Sequence, residues 1–348
     1  MPGTFLCGFL ILTYKCNNRC SFCYASPSRF GSDMMPAEKA IEFLDLMHSL
    51  GIKTVGLCGG EPVMHPYVLK IIRHADKLGI GVTIYTNGRR LKEEKFAGKL
   101  KAAGTAFVNF SVQSGSKGRQ LHDNAVGVKG AWEETREGIE NCHKLGMSIN
   151  IQTVLAHDNF DVYRDILDEF AYTKALFIFY REVPPVGDDI FSVKVLPNEK
   201  TKNIYKRIFM YAQERKIRTY FFSRMPLCWW NPNDKIERKI SENVVSHCHA
   251  ISGRNLIIDL NGKVLPCAQW INLGTMDMLK DGKVISKEKF ISEYNHGNPQ
   301  KVRDSLVYFP DKVCKSCKYF GKRCTGGCPL VKFELGPHYR EYRKSPGR

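Results

Sequence analysis

The sequence predicts an α/β protein: a parallel sheet of six strands with intervening helices, followed by a smaller Cys-rich domain. Three observations predict it. Short apolar runs alternate with amphipathic stretches over roughly the first 220 residues, and glycine closes most of the helical ones. Ten of the thirteen cysteines fall into groups or spaced series. After Pro226 the chain is rich in Cys, Trp, Pro and Gly and has little periodicity. The 348 residues suffice for two domains or one large one, at roughly 100–200 residues per domain.

The elements follow in order. Residues 5–13 are strand-like. Residues 36–50 have helical spacing through Ala40, Ile41, Leu44, Met47 and Leu50, with Gly51 as the stop. A strand at 52–57 precedes a helix at 66–78, which Gly79 closes. A strand at 82–86 precedes a helix at 91–103, ended by Gly104. A strand at 106–112 is followed by a helix at 131–145, ended by Gly146. A strand at 148–155, a helix at 160–172 and a sixth strand-like run at 175–180 complete the series. Strands alternating with helices of this length argue for right-handed β-α-β units. In such folds chemistry sits at the carboxyl ends of the strands, and the loops after the first two strands carry the unusual residues.

Residues 196–216 read as one helix or two. Residues 256–259 and 263–266 flank Leu260-Asn261-Gly262, a hairpin signal. The boundary near 222–226 divides the chain into 1–222 and 223–348. The second part is expected to bury too little core alone and to need bound metal.

Composition narrows the class. Hydrophobic residues make up 43% and charged residues 25%, ordinary for a globular protein and against disorder. No apolar run reaches the ~18 residues of a membrane span, and residues 4–13 lack the flanks of a signal peptide. An odd number of cysteines without an export signal argues against a disulfide framework and for a reducing, cytoplasmic setting. The net charge of +17 suits an anionic partner, or serves only solubility. Lys and Arg are spread along the chain without a basic block or interleaved aromatics, which argues against nucleic acid.

Cys16-Asn-Asn-Arg-Cys20-Ser-Phe-Cys23 places three thiols in the loop after the first strand. Three thiolates can hold a [4Fe–4S] cluster with one iron left for a non-protein ligand. A zinc knuckle with a distant fourth ligand fits the spacing equally well. Cys7, Cys58 and Cys142 stand alone and read as small buried hydrophobes.

The C-x3-C-x-aromatic-C spacing resembles the signature of radical S-adenosylmethionine (SAM) enzymes, and three further segments extend the likeness. Gly59-Gly60-Glu61-Pro62 matches the GGEP segment, Tyr85-Thr86-Asn87-Gly88 matches the TNG segment, and Asn109–Ser114 lies where relatives read SLD or SID. The resemblance covers roughly residues 5–190 and implies a partial (β/α)6 TIM-like barrel of radical SAM type. It implies that Cys16, Cys20 and Cys23 ligate a [4Fe–4S] cluster whose free iron chelates SAM. Reductive cleavage of SAM would give a 5′-deoxyadenosyl radical. Glu61 and backbone carbonyls of the Gly-Gly segment would face the SAM ammonium, with Thr86, Asn87, Ser111, Gln113 and Gln152 as further SAM-binding candidates. Gln113 replaces the family's frequent Asp. Cys58, next to this segment, could return a hydrogen atom to a product radical.

Cys228, Cys248, Gly262, Cys267, Cys314, Cys317, Cys324 and Cys328 resemble the SPASM extension of that family, which carries two auxiliary [4Fe–4S] clusters. The pattern implies Cys228, Cys248, Cys267 and Cys328 for one, and Cys314, Cys317 and Cys324 for the other. No Cys follows Cys328. The last cluster would have an open iron, take Glu334, His338 or another group, or be absent.

The resemblance implies a peptide maturase acting on a ribosomally made precursor by crosslinking, epimerisation, oxidation or excision. An alternative is a small-molecule enzyme acting on a tetrapyrrole propionate or an aminoglycoside. A third reading is a non-enzymatic zinc or Fe–S protein that binds nucleic acid. Expected partners are an anionic substrate and an electron donor such as flavodoxin or ferredoxin. Because the chain starts almost at its first strand, a separate leader-peptide-recognition protein is also expected.

Overall fold

The computed structural model describes residues 5–25, 33–156, 159–181, 198–222, 225–244, 246–271, 273–307 and 312–329. Its centre is one ten-stranded sheet. The first six strands are β1 (Cys7–Thr13), β2 (Thr54–Gly59), β3 (Gly81–Thr86), β4 (Thr105–Ser111), β5 (Ile149–Leu155) and β6 (Leu176–Arg181). They pair in parallel and in sequence order, as the alternating pattern predicts. A seventh parallel strand, β7 (Thr219–Phe222), extends the β6 edge.

The other edge comes from far along the chain. Strand β8 (Asn255–Ile258) pairs in parallel with β1, with Cys7 opposite Asn255 and Leu10 opposite Ile258. The hairpin signal then returns β9 (Lys263–Leu265) antiparallel, and β10 (Met276–Asp277) follows it. Strands from both sides of the 222–226 segment therefore share one sheet.

The connecting helices are α1 (Ala37–Ser49), α2 (Val68–Lys77), α3 (Glu94–Ala102), α4 (Arg119–Val126), α5 (Ala131–Lys144), α6 (Tyr163–Phe170) and α7 (Asn198–Glu214). They cover one face. Leu10, Leu12, Leu57, Val82, Ile84, Val108, Phe110, Ile151, Phe177, Phe179 and Phe221 are buried beneath them. Each such large side chain contributes about 1.5–3 kcal/mol on full burial. The opposite face alternates with it: β3, β5 and β7 show strict buried/half-buried periodicity.

The sheet is rolled, as a chain-length argument shows. Val244 bridges to Phe221 on β7, and Asn255 already pairs with Cys7 on β1. Seven strand spacings of ~4.8 Å separate β7 from β8 in a flat sheet, or about 34 Å. The intervening residues include the helical turn α9 (His249–Ser252) and reach roughly 30 Å at most. Curvature must bring the two edges closer, which is the partial barrel expected.

The structure departs from the sequence reading after Pro226. Helix α8 (Lys235–Glu242) is capped by Asp234, whose carboxylate accepts from the Ile236 and Glu237 amides. Strands β11 (Leu279–Lys280) and β12 (Lys283–Val284) form a small hairpin. Helices α10 (Lys287–His296) and α11 (Asn298–Val307) follow. Ile258, Val264, Met276, Met278, Ile285, Phe290 and Tyr294 join the main core. Much of this region is thus held by apolar packing against the first strands, a contribution that its local composition does not reveal. Glu334 and His338 lie outside the described residues.

Candidate active site

Apart from Gln152, in the middle of β5, the sequence-predicted residues before Cys228 lie at or beside the carboxyl ends of β1 to β4, where a parallel sheet places its chemistry. The Cys16 loop follows β1 and is held from several sides. The Lys15 amide donates to Thr13 Oγ1 at 2.9 Å. The Arg19 and Ser21 amides donate to the Val126 and Ala125 carbonyls at the end of α4, at 2.8 and 3.0 Å. The Arg89 guanidinium donates to the Asn17 carbonyl, to Asn18 Oδ1 and to Glu134. Helix α4, which the sequence reading missed, thus anchors the loop that bears the first three thiols.

The Gly-Gly segment does more here than allow access. The Gly60 amide donates to the Thr13 carbonyl at 2.7 Å, and the Glu61 amide to that of Lys15 at 2.8 Å. Gly59 has φ +130°, and a Cβ on it would collide with the Thr13 carbonyl oxygen; one on Gly60 would strike those of Tyr14 and Lys15. The glycines let the loop after β2 lie directly against the Cys loop. Pro62 opens a short 3₁₀ turn and is buried.

Glu61 is fully buried. Thr86 Oγ1 donates to its Oε1 at 2.7 Å and the Asn87 amide to its Oε2 at 2.8 Å. Burial pushes its carboxyl up to about 7, against the pull of the Asn87, Thr86 and Val63 donors and the Arg89 charge. The carboxylate expected to face a ligand ammonium also carries a link within the protein. Both oxygens are occupied within the protein, joining the loop after β2 to the loop after β3. Asn87 continues the connection: its Nδ2 donates to Asn17 Oδ1 at 2.6 Å and lies 4.0 Å from Cys16 Sγ.

Gln113 is fully buried, its amide donating to Ser111 Oγ at 3.0 Å and accepting from the Val154 amide at 3.2 Å. Ser111 and Gln152 are register partners on β4 and β5 and are half-buried on the open face. On the described strands that face presents neutral side chains. Its inward residues on β1 to β7 include Phe9, Cys58, Tyr85, Asn109, Ser111, Asn150, Gln152, Ile178, Tyr180, Tyr220 and Phe222. Among the described residues of these strands no Lys, Arg, Asp or Glu joins them. Cys58 packs with Cys23, Tyr24, Ile11 and Phe9, and burial pushes its thiol up to about 12.

The donor set of the Cys loop fits an iron–sulfur cluster. Burial pushes Cys16 up to about 11, with Cys23 adding to the rise, and Cys20 rises further through burial and the thiols of Cys23 and Cys16. Three neighbouring thiols in a poorly solvated pocket are costly as thiolates unless positive charge joins them, which is what a cluster supplies. Among the described residues no three His, Cys, Asp or Glu close around a single metal ion.

Residues 10–170 match the Radical SAM superfamily. These residues form a radical SAM domain. The family uses SAM and a [4Fe–4S] cluster. The domain is 33% identical over 177 residues to the GTP 3′,8-cyclase of Helicobacter pylori, covering 49% of this chain and 53% of that protein. The chain spans about half the length of the first curated relatives it matches. The mycofactocin maturase MftC of Mycolicibacterium smegmatis is 23% identical over 341 residues, 93% of this chain and 78% of that protein. In structure, SuiB of Streptococcus suis bound to S-adenosylmethionine superposes with a TM-score of 0.73 at 18% identity, covering 96% of this chain and 75% of that one. SuiB is also known bound to its precursor peptide SuiA. The radical SAM fold predicted from the sequence is borne out, with a Cys-rich C-terminal part consistent with the SPASM extension. Among the described residues no helix is long and apolar enough to cross a membrane.

The later cysteines divide in two. Cys248, Cys267 and Cys328 are buried together with Trp270 and Leu306. Cys314, Cys317 and Cys324 share a compact turn: the Cys317 amide donates to the Cys314 carbonyl at 3.2 Å, and Phe320 bridges to Cys324. Cys142 is buried in the core on α5, as the sequence suggests for a lone thiol.

Proposed function

We propose that the chain is a radical SAM enzyme that abstracts a hydrogen atom from a ribosomally made precursor peptide. The observation that carries this reading is the neutral side chains that the described strands present on the open face. Amide side chains of Asn109, Asn150 and Gln152 alternate there with Tyr85, Tyr180, Tyr220 and Phe222. Amides suit a peptide backbone, and aromatic rings suit an apolar side chain; neither compensates the charges of a triphosphate or a polycarboxylate. The likeness to MftC, which extends through the Cys-rich region, supports the same direction, whereas the 33% likeness to the cyclase stops at half the chain.

When bound, the cluster and SAM supply one-electron cleavage that generates a hydrogen-abstracting 5′-deoxyadenosyl radical. Cys16, Cys20 and Cys23 would hold the cluster. Asn87 and Arg89 fix the loop that presents them, and Glu61 fixes Asn87. The Tyr24 hydroxyl donates to the Gly59 carbonyl at 2.9 Å, holding the third thiol's turn against the loop after β2. Cys58 stays a neutral thiol at physiological pH, the form that can surrender a hydrogen atom. A groove of about 320 Å³ outside the Cys loop, lined by Asn17, Met64, Arg89, Arg90, Lys92, Glu93 and Glu134, offers mixed but net basic character to an acidic electron donor.

The test is anaerobic turnover with a short precursor peptide encoded beside this gene, with GTP, and with a porphyrin propionate. Peptide-dependent 5′-deoxyadenosine and a mass change in the peptide support the reading. Substrate-dependent turnover with GTP or the porphyrin alone overturns it.

A further inference from the structure

Two cysteine-bearing segments of the C-terminal part meet at one hydroxyl. Cys248 and Cys324 lie far apart in the chain, yet the Thr325 hydroxyl accepts from the Cys248 amide at 2.6 Å. The same hydroxyl donates to the Ser246 carbonyl at 3.5 Å, and the Thr325 amide donates to that carbonyl at 3.0 Å. Thr325 is 3% exposed, and Cys248 and Cys328 lie with Cys267 in one buried apolar cluster. A threonine hydroxyl offers one donor and two acceptor positions, so this side chain serves both partners. A valine of nearly the same shape would serve neither and would leave the buried Cys248 amide without its acceptor. The turn before Thr325 is fixed as well. The Gly326 amide donates to Cys324 Sγ at 3.3 Å, and the Cys324 amide to the Tyr319 carbonyl at 3.1 Å. Ser246, two residues before Cys248, is buried, and among the described residues its hydroxyl has no hydrogen-bond partner. A buried hydroxyl without an acceptor fits a pocket that takes in a group with acceptor sulfurs, and an iron–sulfur cluster is such a group.

We infer that Thr325 is a positioning residue of the auxiliary sites, its hydroxyl holding the Cys248 backbone against the turn that carries Cys324 and Cys328. This inference rests on the reading that the C-terminal cysteines hold auxiliary clusters, and it leaves the ligands implied by the family likeness as they are. Thr325 is not itself a ligand. It acts through the Cys248 amide, and it follows Cys324 directly, so one side chain relates a thiol of each implied cluster. A cluster needs its thiolates at fixed mutual positions, and a hydrogen bond behind a ligand fixes that ligand's orientation. Here the bond joins segments 77 residues apart, a separation that local sequence does not bridge.

The test uses a Cys16→Ala/Cys20→Ala/Cys23→Ala background, in which all iron retained after anaerobic reconstitution is auxiliary. About four iron per auxiliary cluster are expected. Titration with an iron chelator, followed by the visible absorption of the clusters, reads how firmly they are held. Adding Thr325→Val is expected to lower the chelator concentration that removes half the iron by about 10–100-fold. Thr325→Ser keeps the hydroxyl and is expected to resist like the background. Equal resistance of the Thr325→Val chain and the background overturns the inference. Equal loss in Thr325→Val and Thr325→Ser also overturns it, because the shape of the side chain and not its hydroxyl would then decide. A Thr325→Val chain that loses the background's far-ultraviolet circular dichroism overturns it too, since the role is local to these sites. A background without iron overturns the auxiliary-cluster reading itself, a failure visible before Thr325 is changed.

Discussion

The Asn87 amide donates to the Glu61 carboxylate at 2.8 Å, and the Asn87 side chain in turn reaches Asn17 on the Cys loop. Three loops from three strands are thereby locked together through one buried carboxylate. Glu61→Ala should cost about 1–3 kcal/mol for each buried donor left unsatisfied. It should also reduce the iron retained by the first cluster. Urea unfolding and iron counts check both. A variant with wild-type stability and iron would remove Glu61 from this role.

The same carboxylate makes stability depend on pH. Its ordinary value is 4.5 and burial pushes it up to about 7. Between those values the unfolded chain has released the proton while the folded chain keeps it. Stability therefore falls as pH rises through this window, on the order of 3 kcal/mol from this group. Glu61→Gln cannot titrate, so its unfolding free energy should vary less over that range than the wild type's.

Gly60→Ala should disturb the Cys loop more than the core. The added Cβ strikes the Tyr14 and Lys15 carbonyl oxygens, and both belong to backbone that cannot rotate away. Loss of first-cluster iron should exceed any change in the far-ultraviolet circular dichroism. Equal iron in the variant and the wild type would contradict the packing described.

The fold was legible in the sequence where local pattern decides structure. Alternating runs and glycine stops located β1 to β6 and most helices between them. What stayed hidden depends on partners distant in the chain. Nothing in residues 255–258 says that they pair with β1, and nothing in Arg119–Val126 says that its end holds Arg19 and Ser21. Phe290 and Tyr294 on α10 reach the main core, although that region's composition looks poor in core-forming residues. In the site, the cysteine spacing and the Gly-Gly-Glu-Pro segment located the chemistry. Glu61's inward role was not legible, because a motif names a residue and not the direction of its side chain. The allocation of the later cysteines was not legible for the same reason: spacing counts thiols and does not say which of them meet.

Cys58 and Cys16 should behave as opposites. Cys58 is a half-buried neutral thiol outside the triad, so Cys58→Ala should leave first-cluster iron and SAM cleavage unchanged. Cys16→Ala, Cys20→Ala or Cys23→Ala should abolish 5′-deoxyadenosine formation. Cys314→Ala should retain uncoupled cleavage while losing product. Chromatography of 5′-deoxyadenosine beside peptide mass spectrometry separates the three outcomes, and full product from Cys16→Ala would sink the mechanism.

The most direct measurement is iron, sulfide and zinc per chain after anaerobic reconstitution of the wild type. Three [4Fe–4S] clusters predict about twelve iron with matching sulfide. Zinc with little iron would contradict the radical reading entirely.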